Sequence, residues 1–213
     1  MFSFSLSAQK IENIEISAGP GLKFGKIKLQ DNTLLNLNGG RPLFSFNLDG
    51  KIHQSASADF TEQNNTRIQV FTKGLKVTTV TGRKVSGDWT AEIIFENTGV
   101  DTFSVSNVVP FGEDTSSVYI TGYGPPDLAR ACLFRPGYRP VRVILPDNAW
   151  ELGYSSFPAV DAQSVCGLAR RSGTDGAIRK RYETLLPPGS SVTYTMYTSL
   201  YRGTWQDGIR KLF

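Results

Sequence analysis

The chain has 213 residues, 39% hydrophobic and 11% aromatic, enough to bury a sizeable core without disulfide or metal support. Two cysteines exclude a disulfide scaffold, the lack of a long polar tract excludes a disordered chain, and no apolar run is long enough for a membrane-spanning helix. A formal net charge of +4 and a pI near 9.1 are too mild to indicate nucleic acid on their own.

The dominant hydrophobic period is two, which is strand period. Phe2, Phe4 and Leu6 alternate with Ser3, Ser5 and Ser7 from the first residue. That is not the charged start and continuous apolar core of a signal peptide. The expectation is either a cytoplasmic chain or a mature segment whose export signal was removed. Leu35 and Leu37 alternate with Asn36 and Asn38, and Gly39-Gly40 turns the chain into "RPLFSFNLDG". There Phe44, Phe46 and Leu48 share a face, and Asp49-Gly50 is a strong hairpin signal. The single histidine, His53, sits beside Lys51 and Ser55 on the expected polar side of the next strand, so it reads as a surface or hydrogen-bonded residue.

Another hairpin follows in "RIQVFTKGLKVTTV", with Lys73-Gly74 at its tip. In "SGDWTAEIIFENTG", Trp89, Ala91, Ile93 and Phe95 point one way and Thr90, Glu92 and Glu96 the other. Asn97-Thr98-Gly99 then turns into a strand where Phe103, Val105 and Val109 keep parity. Residues 118 to 145 are broken by Pro and Gly, with strands expected at "VYITGYG" and at Val141 to Leu145. "AWELGYSSFPA" reads as an aromatic loop, after which "QSVCGLARR", "AIRKRYETLLPPGSS" and "VTYTMYTSLYRG" restore strands. In the last, Val192, Tyr194 and Met196 share a face.

The ending changes period. Thr204 can cap a helix, with Asp207 three residues on, and Trp205, Ile209, Leu212 and Phe213 fall on one helical face. No Gly or Asn stop signal follows. About fourteen strands separated by turn signals predict an all-β domain, a large antiparallel two-sheet β-sandwich over residues 1–203. Residues 204–213 are expected to open a short helix that leads into a further domain.

Signatures of chemistry are sparse. No Gly-rich loop links a strand to a helix, so neither dinucleotide nor P-loop binding is supported, and no cofactor is expected. One histidine on a polar face cannot complete a Ser-His-acid triad. Cys132 and Cys166 lack metal-ligand spacing and either pair or stay as thiols. Asp88, Asp101, Glu113, Asp114, Asp127, Asp147, Glu151 and Asp161 all lie in or near turns, where carboxylates are usually solvated. Arg130, Arg135, Arg139 and Arg142 form one basic region and Arg179, Lys180 and Arg181 another; both read as solvated surface, and no nucleic-acid partner is expected. The aromatic residues of the irregular region are more suggestive, because ring faces stack on the C–H faces of sugars while neighbouring polar groups bond hydroxyls. Tyr123, Tyr138, Asp147, Asn148, Trp150 and Tyr154 are therefore the candidate saccharide contacts, weighed against a role in plugging the open end of the sandwich.

"DWTAEIIFENTGVDTFSVSNVVPFG" resembles the strand pair of N-terminal sandwiches in multidomain glycoside hydrolases, with a Trp-led strand, an N-x-G turn and a strand ending in Pro. "TLLPPGSSVTYTMYTSLYRGTWQDGIRKLF" is similar to the end of such domains, where a Y-x-G-x-W segment leads into a helix feeding the catalytic barrel. The resemblance extends to the galactose-mutarotase-like supersandwich shape. It implies a non-catalytic accessory domain that packs on a catalytic domain of the same parent chain through Trp205, Ile209, Leu212 and Phe213, and that lines the substrate cleft. The enzyme's nucleophile and acid would belong to the barrel, so no catalytic residue carries over. By the same analogy the parent would be periplasmic or extracellular. The alternative is a self-contained carbohydrate-binding module or lectin-like sandwich; a stand-alone epimerase or lyase is disfavoured by the solitary His53.

Overall fold

The computed structural model describes residues 10–16, 19–36, 40–83, 89–112, 118–119, 129–135, 138–145, 152–158, 163–180, 183–202, 207–208 and 210; from 118 to 164, and at Asn36 and Arg83, it describes the backbone alone. Over these residues the chain forms eighteen strands: β1 (Ile11–Ile16), β2 (Phe24–Leu29), β3 (Leu34–Asn36), β4 (Phe44–Leu48), β5 (Lys51–Gln54), β6 (Phe60–Gln63), β7 (Thr66–Val70), β8 (Leu75–Arg83), β9 (Trp89–Asn97), β10 (Phe103–Pro110), β11 (Val118–Tyr119), β12 (Ala129–Arg135), β13 (Tyr138–Leu145), β14 (Leu152–Pro158), β15 (Gln163–Asp175), β16 (Ile178–Arg179), β17 (Glu183–Leu186) and β18 (Ser191–Arg202). The all-β, sandwich-like architecture is as the period predicts.

The sheets number three among the described residues, not two. A ten-stranded sheet runs β11-β13-β12-β14-β15-β18-β9-β8-β7-β6, a five-stranded sheet runs β16-β17-β10-β4-β5, and β1-β2-β3 form the third. Pairing is antiparallel except for β11 with β13 and β12 with β14. Local alternation tells a strand which face is apolar but not which sheet it joins; that choice rests on contacts distant in sequence.

Phe24 of β2 shows how the layers close on one another. Its ring lies 6.4 Å from Trp89 at the start of β9 and 4.7 Å from Phe111 just beyond β10, so one side chain touches elements of all three sheets. Burying such a ring contributes on the order of 2–3 kcal/mol. The five-stranded sheet reaches the ten-stranded one at Gly167 of β15. A Cβ there would lie 2.8 Å from both the Phe111 ring and Pro110, so only glycine admits that approach.

The expected inward faces hold in β4, β9 and the first half of β18. Phe44 and Phe46, then Ala91, Ile93 and Phe95, then Val192, Tyr194 and Met196 are all fully buried. Asp49 and Gly50 take positive φ (49° and 78°), the conformation a two-residue hairpin between twisted strands requires. In β10 the simple parity ends at a bulge: the register with β4 slips between Ser106 and Val109, Asn107 has φ 52°, and Val108 and Val109 are both buried.

Buried polar side chains act as stitches. Asn97 is fully buried, its amide donating to the carbonyls of Asp101 and Leu186 (2.7 Å each) while its oxygen accepts from the Gly99 amide (2.8 Å). One side chain thus fixes the Asn97–Gly99 turn and ties β9 to the end of β17 in the other sheet. Ser55 does the same near β4: its hydroxyl donates to the Leu22 carbonyl and accepts from the Phe44 amide.

Two local expectations are corrected. "AWELGYSSFPA" is not a loop over its second half: Leu152–Pro158 is β14, hydrogen-bonded to β12 on one side and β15 on the other. His53 is not on a polar face either. It pairs across β4–β5 with Phe46, stacks on that ring at 5.6 Å and meets the Phe71 ring edge-on at 5.9 Å. Burial, aided by Lys51, lowers its pKa and favours the neutral ring. The cysteines also part: Cys166 is a buried thiol, its sulfur 3.5 Å from the Ser199 carbonyl. Cys132 lies two strands away, since β14 separates β12 from β15. That is about 10 Å at ordinary strand spacing, beyond disulfide reach.

Candidate functional site

The most distinctive surface feature arises from a mismatch in strand length. β15 has thirteen residues and β14 only seven. The last pair between them is Leu152 with Arg170; beyond it β15 continues to Asp175, bonded to β18. Among the described residues, no strand pairs with the β14 side of residues 171–175. Where β14 stops, the β15–β18 register slips between Arg171 and Gly173, a bulge held by Ser172, whose hydroxyl donates to the Thr193 carbonyl (3.3 Å) and accepts from Thr195 (2.9 Å).

Just before the bulge, two consecutive arginines point to opposite faces of the strand. Arg170 is exposed, whereas Arg171 is 4% exposed. A guanidinium is costly to bury without acceptors. Here Nη1 donates to Thr184 Oγ1 (2.9 Å) and to the carbonyls of Lys180 (3.2 Å) and Glu183 (3.4 Å), and Nη2 also reaches the Lys180 carbonyl (3.3 Å). Those acceptors all belong to the β16–β17 hairpin, so Arg171 pins that hairpin to β15. The pinned hairpin places Arg179 beside Arg170. Together with the Ser172–Thr174 backbone and the half-buried ring of Tyr197, these arginines line an open cleft of about 280 Å³.

Among the described residues, cations outnumber carboxylates in this region. Arg170, Arg171, Arg179 and Lys180 stand against Glu183 and Asp175. Lys180 Nζ lies 3.0 Å from Glu183 Oε1. A hydrogen bond from Ser104, then one from Lys180, holds the Glu183 carboxyl below its ordinary range. Guanidinium groups keep their charge and donate through a rigid fork, which is the chemistry that anionic and hydroxyl-bearing groups accept from. Among the described residues, no three His, Cys, Asp or Glu side chains gather in a way that could hold a metal ion. No helix among them is long and apolar enough to cross a membrane.

The candidate residues read from the sequence fare differently. Tyr138 opens β13 opposite Arg135, and Tyr154 lies in β14 opposite Ala131 of β12 and Leu168 of β15. Four residues along β12 and two strand spacings separate them, roughly 13 Å by 10 Å in the backbone. Tyr123, Asp147, Asn148 and Trp150 lie outside the described residues, as do Trp205, Ile209, Leu212 and Phe213. Asp207, Gly208 and Arg210 are helical, with Arg210 3.5 Å from Asp207 one turn earlier. Gly208 is buried and its carbonyl lies 3.8 Å from the Cys166 sulfur. Cys166 and Leu168, whose side chains alternate with the inward Val165, Gly167 and Ala169, are buried too. At least this helical turn therefore sits on the outer side of β15.

The arginine cleft escapes the sequence reading, although "ARRSGTDGAIRKR" carries a signal: two basic groups flank a Gly-containing connection, here the one that passes from β15 to β16 in the other sheet.

The architecture defines an all-β sandwich. Neither a family model nor a curated protein sequence matches the chain. Among solved structures it is similar to a polysaccharide lyase, with a TM-score of 0.51 at 12% identity; the likeness covers 98% of this chain and 35% of the lyase. At that identity the likeness is one of fold, a β-sandwich of a kind present in a carbohydrate-active enzyme. The chain thus spans about a third of that protein's length.

Proposed function

We propose that the chain is a non-catalytic β-sandwich domain of a carbohydrate-active enzyme, buttressing a catalytic domain of the same parent chain and contributing a surface to the path of the saccharide. The observation that carries this reading is the match of nearly the whole chain to one part of a polysaccharide lyase. It is supported by the nature of the described cleft, whose arginines bind rather than exchange protons. The glycoside hydrolase resemblance of the "ENTG" turn and the final strand points to the same broad class. It leaves hydrolase or lyase chemistry to the partner domain.

In this reading Trp205, Ile209, Leu212 and Phe213 pack between the domains. Asp147, Asn148 and Trp150, which precede β14 in sequence, meet saccharide together with Tyr123, Tyr138 and Tyr154. The test is to supply the 213-residue chain with plant and bacterial polysaccharides and follow both new reducing ends and new unsaturated ends. No turnover is expected, and cleavage by this chain alone would overturn the assignment. A Trp150→Ala variant that loses all polysaccharide retention would favour the self-contained binding module instead, because a buttress does not depend on a single ring.

A further inference from the structure

We propose that the cleft at the open end of β15 binds the acidic group of a glycan, a carboxylate or a sulfate ester. Arg170 and Arg179 are the contacting cations, Tyr197 is the ring against which the sugar lies, and Arg171 is the positioning residue. The inference rests on the carbohydrate reading above and goes further in naming the substrate class and the residues.

Three features of the cleft carry it. First, its cations come from different sheets, β15 in one and β16 in the other, so their convergence is a product of tertiary structure and not of a local charge run. The fold commits a nearly buried guanidinium with three acceptor groups to holding the arrangement. Second, paired guanidinium forks match the planar oxygens of a carboxylate or the tetrahedral oxygens of a sulfate better than they match neutral hydroxyls. Third, the space suits such a group. At about 280 Å³ the cleft is just below the usual range of roughly 300–1,000 Å³ for small-molecule sites. One acidic monosaccharide unit fits this, with the polymer leaving through the open side. A single aromatic ring beside compact arginines also differs from the extended basic groove and serial stacking platforms that single-stranded nucleic acids use.

Because the contacting groups are exposed, the attraction must weaken with salt: the screening length is about 8 Å at physiological ionic strength and shortens as salt rises. The test is affinity electrophoresis and calorimetry of the whole 213-residue chain against polygalacturonate, dextran sulfate and neutral dextran at low and high salt. Binding to one or both acidic polymers, weakened by salt and absent for dextran, is expected; which polymer binds identifies carboxylate or sulfate as the ligand group. Arg170→Gln and Arg179→Gln should each weaken that binding about tenfold, the order expected for a charged hydrogen bond, with the melting temperature unchanged. Lys26→Gln, on the exposed part of β2, should change it little. Equal binding of dextran would overturn the anionic assignment while leaving the carbohydrate reading intact. Failure to bind any of the three polymers would overturn the assignment and remove the saccharide-contact part of that reading as well. An equal loss in Lys26→Gln, or equally tight binding of a single-stranded oligonucleotide, would overturn it by showing that general charge is responsible.

Discussion

Tyr194 and Arg171 are directly opposite each other across β18 and β15, both almost fully buried, yet they belong to different kinds of interior. Around Tyr194 the environment is aromatic: Phe95 lies 5.7 Å away, and Phe46 and Phe44 follow at 4.9 Å and 6.2 Å from Phe95. Around Arg171 it is a set of oxygens supplied by the β16–β17 hairpin. A ring is stabilised by leaving water, whereas a guanidinium is stabilised only if acceptors replace the water it loses. The aromatic region therefore holds the sandwich together, and the arginine region spends part of that stability to shape a surface.

The sharpest way to break this comparison is to remove a ring. Phe95→Ala should cost about 4 kcal/mol of unfolding free energy, from lost burial plus the cavity left among three aromatic neighbours. Denaturant unfolding measures it, and the folded fraction should bind ligand as before. A loss below about 1 kcal/mol would mean that the aromatic cluster is not the stabilising centre.

Asn97→Ala comes next, at about 3 kcal/mol, because it strands the buried carbonyl of Leu186 together with the Asp101 carbonyl and Gly99 amide at the join between sheets. Arg171→Met should cost about 2 kcal/mol, less than either, since the thioether recovers part of the burial that the lost hydrogen bonds gave up. Its second effect separates the two regions. Losing the pin frees the hairpin, so hydrogen exchange should rise in residues 178–186 while β9 stays protected. Equal deprotection of β9 would make Arg171 a general core residue.

How much of this was legible follows from the same contrast. The hairpins at Asp49-Gly50 and Lys73-Gly74, and the inward faces of β9 and β18, were written in the sequence because one buried face imposes alternation and positive φ selects the turn residues. β14 was hidden. Gly153, Ser155 and Ser156 look like loop residues, and what makes the segment a strand is the pair of neighbours that bond it on either side. The third sheet was hidden for the same reason, since sheet membership is a long-range choice. In the cleft, Arg170, Arg171 and Arg179 are each ordinary surface cations by sequence. Arg171 turns inward on the same alternation as Val165, Gly167 and Ala169, but that a guanidinium is tolerated there depends on the acceptors of a hairpin nine residues later.

His53 gives the smallest and most easily isolated test, and it lies where the sequence misjudged a face. Burial between the Phe46 and Phe71 rings lowers its pKa, Lys51 adding to the effect. In the unfolded chain the imidazole keeps its ordinary value, so as pH falls through about 6.5 the unfolded state takes up a proton that the folded state resists. Stability contributed by the neutral ring is therefore full above that pH, declines as pH falls toward the lowered folded value, and levels off below it. Carboxylates such as Glu183, held below the ordinary range, weaken the fold only at lower pH, which keeps the two effects apart. Unfolding free energies of the wild type and His53→Phe, compared near pH 7.5 and near pH 5, should show a smaller acid loss in the variant, because phenylalanine keeps the stacking and cannot be protonated. An identical loss in both would place the imidazole in water and restore the polar face that alternation alone implied.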